Sequence, residues 1–265
     1  MNFMKKDIFV LVLVIIAFVA YALLFGNFNK LGISSTENIM KKVSVIPISH
    51  ATAVFEWEGN TIYVDPTGGK KSFANSKSPD IILVTDIHGD HLNKETLEAV
   101  MGEETVLIAP KAVVDLLPET LAKKATILLN GETINQKGFS ILAIPMYNLP
   151  ESADSFHTKG RGNGYVVERD GIRIYVAGDT ADIPEMRALK NIDIALIPMN
   201  LPYTMSVENA ASGVLAFAPK IVYPYHYRGP EGLNDVGKFK RLVNAENPDI
   251  RVILGNWYPE TKQLD

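Results

Sequence analysis

Thr85-Asp86-Ile87-His88-Gly89-Asp90-His91 packs four potential metal donors into the six residues from Asp86 to His91. An apolar run from Ile81 to Thr85 precedes it, and Lys94 to Met101 beyond it has helical spacing. The segment is therefore the loop between a buried strand and a helix. Carboxylate oxygens and imidazole nitrogens are donors suited to zinc, manganese or iron. Asp86 and His88 stand two apart and can share one cation, while Asp90 and His91 can serve a neighbouring one. A single loop histidine is ordinary; four donors crowded at one strand end point to a site.

Working outward, the chain holds five histidines: His50, His88, His91, His157 and His226. Each lies at the end of an expected strand or in a loop rich in Gly or Pro. Ala177-Gly178-Asp179-Thr180 follows a strand, and an acidic residue on a tight glycine turn is a natural bridge between two cations. Pro224-Tyr225-His226-Tyr227 also ends a strand. Taken singly, a Gly-Asp-Thr turn or a lone histidine more often serves packing; the loop at 85–91 gives them a common purpose.

Strands are expected at Val43–Ile48, Ala53–Trp57 and Thr61–Val64, the last two joined at Glu58-Gly59-Asn60 as a hairpin. Further strands are read at Val106–Ala109, Ala125–Leu128, Ile141–Pro145, Tyr165–Glu168, Ile172–Val176, Ile192–Pro198, Ile221–Tyr223 and Arg251–Leu254. Helices are read at Pro110–Leu117 and Val207–Phe217. Hairpins come first and helices then alternate with strands, which implies an α/β (α+β) domain with helices outside strand layers. The 265 residues are 47% hydrophobic and 21% charged, enough for one domain with a real core and a short extension. The net charge of −4 and the lack of a basic patch argue against nucleic acid as a partner. The chain has no cysteine, which excludes disulfides, thiolate ligands and a cysteine nucleophile.

Asp86-x-His88-x-Asp90-His91, Gly178-Asp179-Thr180 and His226 together resemble the ordered ligand set of the metallo-β-lactamase superfamily, over about Ser44 to Tyr258. Ser49-His50-Ala51, Val64-Asp65-Pro66 and Leu201-Pro202-Tyr203-Thr204-Met205 are similar to the branch containing ascorbate-6-phosphate lactonase and N-acyl-phosphatidylethanolamine phospholipase D. The resemblance implies a four-layer αββα sandwich with the site at the edge between the sheets. It also implies two divalent cations, zinc foremost with manganese or iron as alternatives, held by Asp86, His88, Asp90, His91, His157, Asp179 and His226. Asp90 would in addition orient the attacking water and accept its proton. Two positions depart from the pattern. Asp86 stands where the superfamily usually has His, which hardens the site toward manganese or iron. Asn148, after Pro145-Met146-Tyr147, stands where the middle histidine is expected; His157 follows shortly after and is the preferred ligand of the two.

The substrate expected is a phosphodiester, lactone or related ester or amide. Arg161, Tyr203 and Tyr227 are candidates to hold its anionic or polar groups, with Lys159 and Arg228 nearby in the same loops; His50 and Asn148 are candidates to face it. A diiron flavoprotein normally has Glu at the place of Asp90 and a flavodoxin-like domain after the core. The alternative from another class is a non-catalytic metal- or ligand-binding protein on a degraded site, suggested by Asp86 and Asn148.

Lys5 and Lys6 precede an uninterrupted apolar run from Ile8 to Phe25. At about 1.5 Å per residue such a helix just spans a hydrocarbon core of roughly 30 Å. Residues 1–26 are read as a membrane anchor with the domain on the extracytoplasmic side, and 27–42 as a linker before a hydrolase domain at 43–265. Ala20-Tyr21-Ala22 also fits a signal cleavage site, which would leave a secreted or periplasmic protein. An anchor makes a lipid-derived substrate attractive beside a small-molecule one.

Overall fold

A computed structural model of the chain describes residues 36–259. The apolar run Ile8 to Phe25 and the start of the expected linker lie outside them, and among the described residues no helix is long and apolar enough to cross a membrane. Residues 36–42, at the end of that linker, are helical. Thr36 to Lys42 contains no Gly or Pro, the residues that would have kept it from helix.

The domain from Lys42 onward is built on two mixed sheets. The first runs in spatial order β1 (Val43–Ser49), β2 (Thr52–Trp57), β3 (Asn60–Val64), β4 (Ile81–Leu83), β5 (Val106–Ala109) and β6 (Ala125–Ile127). Its first three strands are antiparallel, and β3 to β6 are parallel. The second sheet contains β7 (Thr133–Gln136), β8 (Phe139–Met146), β9 (Gly162–Arg169), β10 (Ile172–Val176), β11 (Ile194–Pro198), β12 (Ile221–Tyr225) and, beyond a small hairpin of β13 (Arg228–Gly229) and β14 (Gly232–Leu233), β15 (Arg251–Val252). Here β7 to β10 are antiparallel neighbours, and β10, β11, β12 and β15 are parallel. Each sheet thus begins as hairpins and ends in parallel crossovers.

Three hairpins close on two-residue turns with both central residues at positive φ: Glu58-Gly59, Lys137-Gly138 and Asp170-Gly171. Those turns match the twist of the strands they join. The strands alternate between two apolar faces. Val54, Tyr63, Ile82 and Leu107 pack against helix residues Leu97, Val100, Val113 and Leu121. These come from α1 (Lys94–Val100), α2 (Lys111–Val114) and α3 (Glu119–Ala122), so the helices cover one face of the first sheet. The opposite face meets the second sheet: Trp57, fully buried, packs edge-on against Phe139 at 5.1 Å between ring centroids, and Tyr165 donates its hydroxyl to Val84 O at 2.8 Å.

Beside the second sheet lie α4 (Pro184–Arg187), α5 (Val207–Phe217) and α6 (Val236–Glu246). In α5, Ser206 caps Asn209 N, and Val207, Ala210, Ala211, Val214 and Phe217 form a buried stripe at helical spacing. Phe217 meets Tyr175 of β10 at 6.0 Å. The periodicity reading left out β7 and α6. The apolar stripe of α6 is thin, burying only Phe239 and Val243 among lysines and arginine, and its start is set by the Asp235 side chain accepting from Lys238 N. The expected helix Pro110–Leu117 is shorter and is followed by a second turn of helix after Pro118, since that proline fits the start of a helix and not its interior.

Candidate metal centre

Parallel strands deliver their C-terminal ends to one edge of the sheets, where irregular backbone can turn side chains inward. The edge receives His50 from the β1–β2 turn, Asp65 after β3, the 86–91 loop after β4, His157 from the β8–β9 loop, Asp179 after β10, Asn200 after β11 and His226 after β12. His50, Asp65 and His226 have φ of 50°, 45° and 49°. Non-glycine residues in this left-handed region carry strain that persists where the surrounding structure enforces it.

The donors form two groups around one carboxylate. In the first, Asp86 Oδ2 lies 2.7 Å from His88 Nδ1 and 3.7 Å from His157 Nε2, and the two histidine nitrogens are 3.2 Å apart. In the second, His226 Nε2 is 3.3 Å from Asp179 Oδ1 and 3.1 Å from Asp90 Oδ2, while His91 Nε2 is 3.3 Å from Asp179 Oδ2. Asp179 Oδ2 also lies 3.2 Å from His157 Nε2, so this one carboxylate touches both groups. Donors about 2.0–2.1 Å from a tetrahedral cation sit about 3.4 Å from one another, close to these separations.

Outer partners set which ring nitrogen is available. Tyr203 O accepts from His157 Nδ1 at 3.1 Å, and Asp65 Oδ2 accepts from His91 Nδ1 at 2.8 Å, which leaves both Nε2 lone pairs facing Asp179. Asp65 is held in turn by Thr85 N at 2.7 Å and Thr85 Oγ1 at 2.6 Å. The Asn200 amide lies 2.8 Å from His226 Nδ1, and Thr204 Oγ1 donates to Asn200 Oδ1 at 2.6 Å. His91 Nε2 and Asp179 Oδ1 are buried without a hydrogen bond of proper geometry. Buried polar atoms are rarely left so, and a cation among these donors satisfies both.

The electrostatics agree. Burial pushes the Asp179 carboxyl up, but the charges of His226 and His91 outweigh it and hold the group well below the carboxylate range. Burial likewise acts against Asp90, and hydrogen bonds from His226 and His50 bring it far down. Burial alone would lower His91; Asp179 and Asp65 instead raise it well above the ordinary histidine value. The field at this point favours positive charge, whether proton or metal. His50 behaves differently. Tyr258 Oη accepts from Tyr227 N and Arg228 N at 3.1 and 3.0 Å and lies 2.7 Å from His50 Nδ1. His50 Nε2 lies 3.2 Å from Asp90 Oδ2, and burial lowers the His50 pKa although the hydrogen bond to Asp90 raises it. His50, Asp90 and His226 also cluster closely enough for a cation.

A cavity of about 340 Å³ opens over the donors, with Phe156 and Tyr203 on its walls together with Arg228. His50 and Tyr203, expected to face substrate, do line it. Three other candidates are placed differently. Asn148 Oδ1 accepts from His157 N at 2.8 Å and its Nδ2 donates to Tyr203 O at 2.8 Å, so it clamps the loop that carries His157. Arg161 turns its fork onto Asp86. Tyr227 is buried with its ring edge-on to Tyr258. The residue reading did not assign roles to Asp65, Asn200 or Phe156. Asp65 and Asn200 follow strands as His226 does, which is the one signal that could have raised them; nothing local marks Phe156.

Fold and donors together define a domain of the beta-lactamase superfamily, whose family model matches residues 45–226. Within that superfamily the chain belongs to the UPF0173 metal-dependent hydrolase family. It is 33% identical over 201 residues to the family's protein from Thermococcus onnurineus (strain NA1), covering 72% of this chain and 88% of that one. A crystal structure from Parabacteroides distasonis ATCC 8503, described as a metal-dependent hydrolase, is 36% identical with a TM-score of 0.70 over 80% of this chain and 92% of its own. The metallo hydrolase Igni18 of Ignicoccus hospitalis KIN4/I, at 23% identity and a TM-score of 0.67 over 80% of this chain and 94% of its own, shares the fold. These relatives lend no support to the lactonase and phospholipase D branch. Its supporting signals here are short turns at strand ends, which many sheets of this kind can share.

Proposed function

We propose that the chain hydrolyses a phosphodiester, lactone or related ester or amide with two divalent cations, which Asp86, His88 and His157 on one side and Asp90, His91 and His226 on the other would hold, with Asp179 shared between the two groups. The observation that carries this reading is the position of Asp179, whose oxygens reach His157 on one side and His91 and His226 on the other. Bound cations of this kind act as Lewis acids and bring the pKa of water to near 7. The protein's part is positioning. Asp90, the half-exposed carboxylate at the cavity mouth, accepts a hydrogen bond from the attacking water and orients it. His50 Nε2 lies against Asp90, and Phe156 and Tyr203 shield the reacting bond. The all-nitrogen-and-oxygen donor set suits zinc, with three carboxylates drawing it toward manganese or iron. The helices over one sheet face and beside the other support the four-layer αββα arrangement.

The test is metal analysis of the purified full-length chain, followed by a panel of phosphodiester, lactone, ester and amide substrates. About two equivalents of zinc, manganese or iron and turnover lost on chelation are expected. Absence of metal after reconstitution with each cation sinks the hydrolase reading in favour of a non-catalytic binding protein.

We further propose that residues 1–26 anchor the domain on the extracytoplasmic side of a membrane, which brings lipid-derived substrates within reach. The support is the apolar run Ile8 to Phe25 behind Lys5 and Lys6. The full chain is expected in the membrane fraction after carbonate washing, and a chain starting at Asn27 in the soluble fraction. Recovery of both in the soluble fraction refutes the anchor.

A further inference from the structure

Asp86 is fully buried, and its carboxylate meets a guanidinium. Arg161 Nε donates to Asp86 Oδ1 at 3.2 Å and Nη2 to Oδ2 at 3.1 Å, a two-pronged contact that matches carboxylate geometry. Arg161 is itself tied down, since Nη2 also donates to Phe156 O at 2.6 Å and its backbone N to Thr158 O at 3.2 Å. Its neighbour Gly162 lets the two segments approach: a Cβ there would come within 2.9 Å of Thr85 O, the carbonyl just before Asp86. Asn163 N donates to that same carbonyl at 2.9 Å. The start of β9 is thus seated against the metal-donor loop, and Arg161 is delivered onto Asp86 as a consequence.

Charge explains why this matters. Asp86 Oδ2 and Asp179 Oδ2 both converge on His157 Nε2, at 3.7 and 3.2 Å. Like charges so close in a buried site repel. The three carboxylates Asp86, Asp90 and Asp179 carry three negative charges, and the Arg161 guanidinium cancels one. A carboxylate has about four lone-pair sites. The fork occupies one on each oxygen and leaves Oδ2 aimed at His88, 2.7 Å away. Resting on the two-cation reading above, we propose that Asp86 and Arg161 act as one charge-neutral donor. In this pair Arg161 is the positioning residue that lets a carboxylate occupy a place a neutral imidazole would otherwise fill, and it sets the affinity of the first cation group without touching the second.

The experiment is calorimetric titration of the metal-stripped full-length chain with zinc chloride, with elemental analysis of the loaded product. The wild-type chain is expected to take two equivalents. Arg161→Leu should weaken one of them by about 10- to 100-fold, the range for an outer partner of a ligand, and move the other by less than about 3-fold. Arg161→Lys, which keeps the charge but not the fork, should fall between, and it keeps the test open if the leucine variant does not fold. Asp86→His alone leaves the guanidinium facing a cation and should lose the same equivalent; Asp86→His with Arg161→Leu should recover it to within about 3-fold of wild type, a strong non-additivity. Unchanged binding in both Arg161 variants, or additive effects in the double variant, overturns the proposal while leaving the hydrolase reading intact. A wild-type chain that binds no zinc overturns both.

Discussion

Asp179→Ala is expected to abolish measurable turnover, by at least about 10³-fold, and to lower the affinity of both cations. Outer partners of metal ligands typically cost 10- to 100-fold when removed, and Asp179 stands one shell further in, shared between the groups. It is nearly buried, its oxygens contact His91, His157 and His226, and its ionisation is enforced by the charges of His226 and His91 against burial. Without it the carboxylate that touches all three imidazoles is gone, and Asp86 and Asp90 remain on opposite sides, near His157 and near His91 and His226. Asp179→Asn separates charge from shape: it fills the same space, and metal loss comparable to that of Asp179→Ala would assign the effect to the charge. Elemental analysis and turnover on the substrate found in the panel check both variants. Retention of two equivalents in Asp179→Ala would refute the bridging role.

Asp65→Ala should be the next largest effect, and it acts on stability and metal together. The carboxylate accepts from His91 Nδ1, Thr85 N and Thr85 Oγ1, all buried. Leaving one buried polar group unsatisfied costs about 1–3 kcal/mol, so the metal-free variant should melt several degrees lower, at about 2–4 °C per kcal/mol for a domain of this size. Loss of the partner that orients His91 should weaken its cation by about 10- to 100-fold. Burial pushes Asp65 up in pKa and His91 offsets this only in part, which shows how costly an isolated charge would be here. Thermal melts with and without zinc separate the two effects. A lowered melting point with unchanged zinc affinity would reduce Asp65 to a structural acceptor.

Much of the site was legible because its residues cluster at strand ends in short sequence. The donors of the 86–91 loop, the glycine turn at Asp179 and the strand end at His226 all follow apolar runs, and the runs themselves identified most strands. Less was legible where local pattern is thin. The helix α6 buries two side chains and the four-residue β7 buries none, so neither carries a strong apolar signal. The likeness to one superfamily branch rested on turns too short to discriminate.

The sequence by itself determined the donor chemistry of this protein: no cysteine, five histidines, and carboxylates set at the ends of strands. Hydrophobic alternation and glycine turns determined the two-sheet α/β architecture that gathers those ends. Only the tertiary structure decided which donors meet. It set His157 beside Asp86, His88 and Asp179 and used the Asn148 amide to hold His157 N and Tyr203 O. It took Arg161 away from the cavity and gave it to Asp86, 75 residues earlier in the chain. It also recruited Asp65 and Asn200 behind His91 and His226. Residue type and spacing report what an atom can bind, whereas hydrogen-bond partners drawn from distant strands set the direction in which each lone pair points.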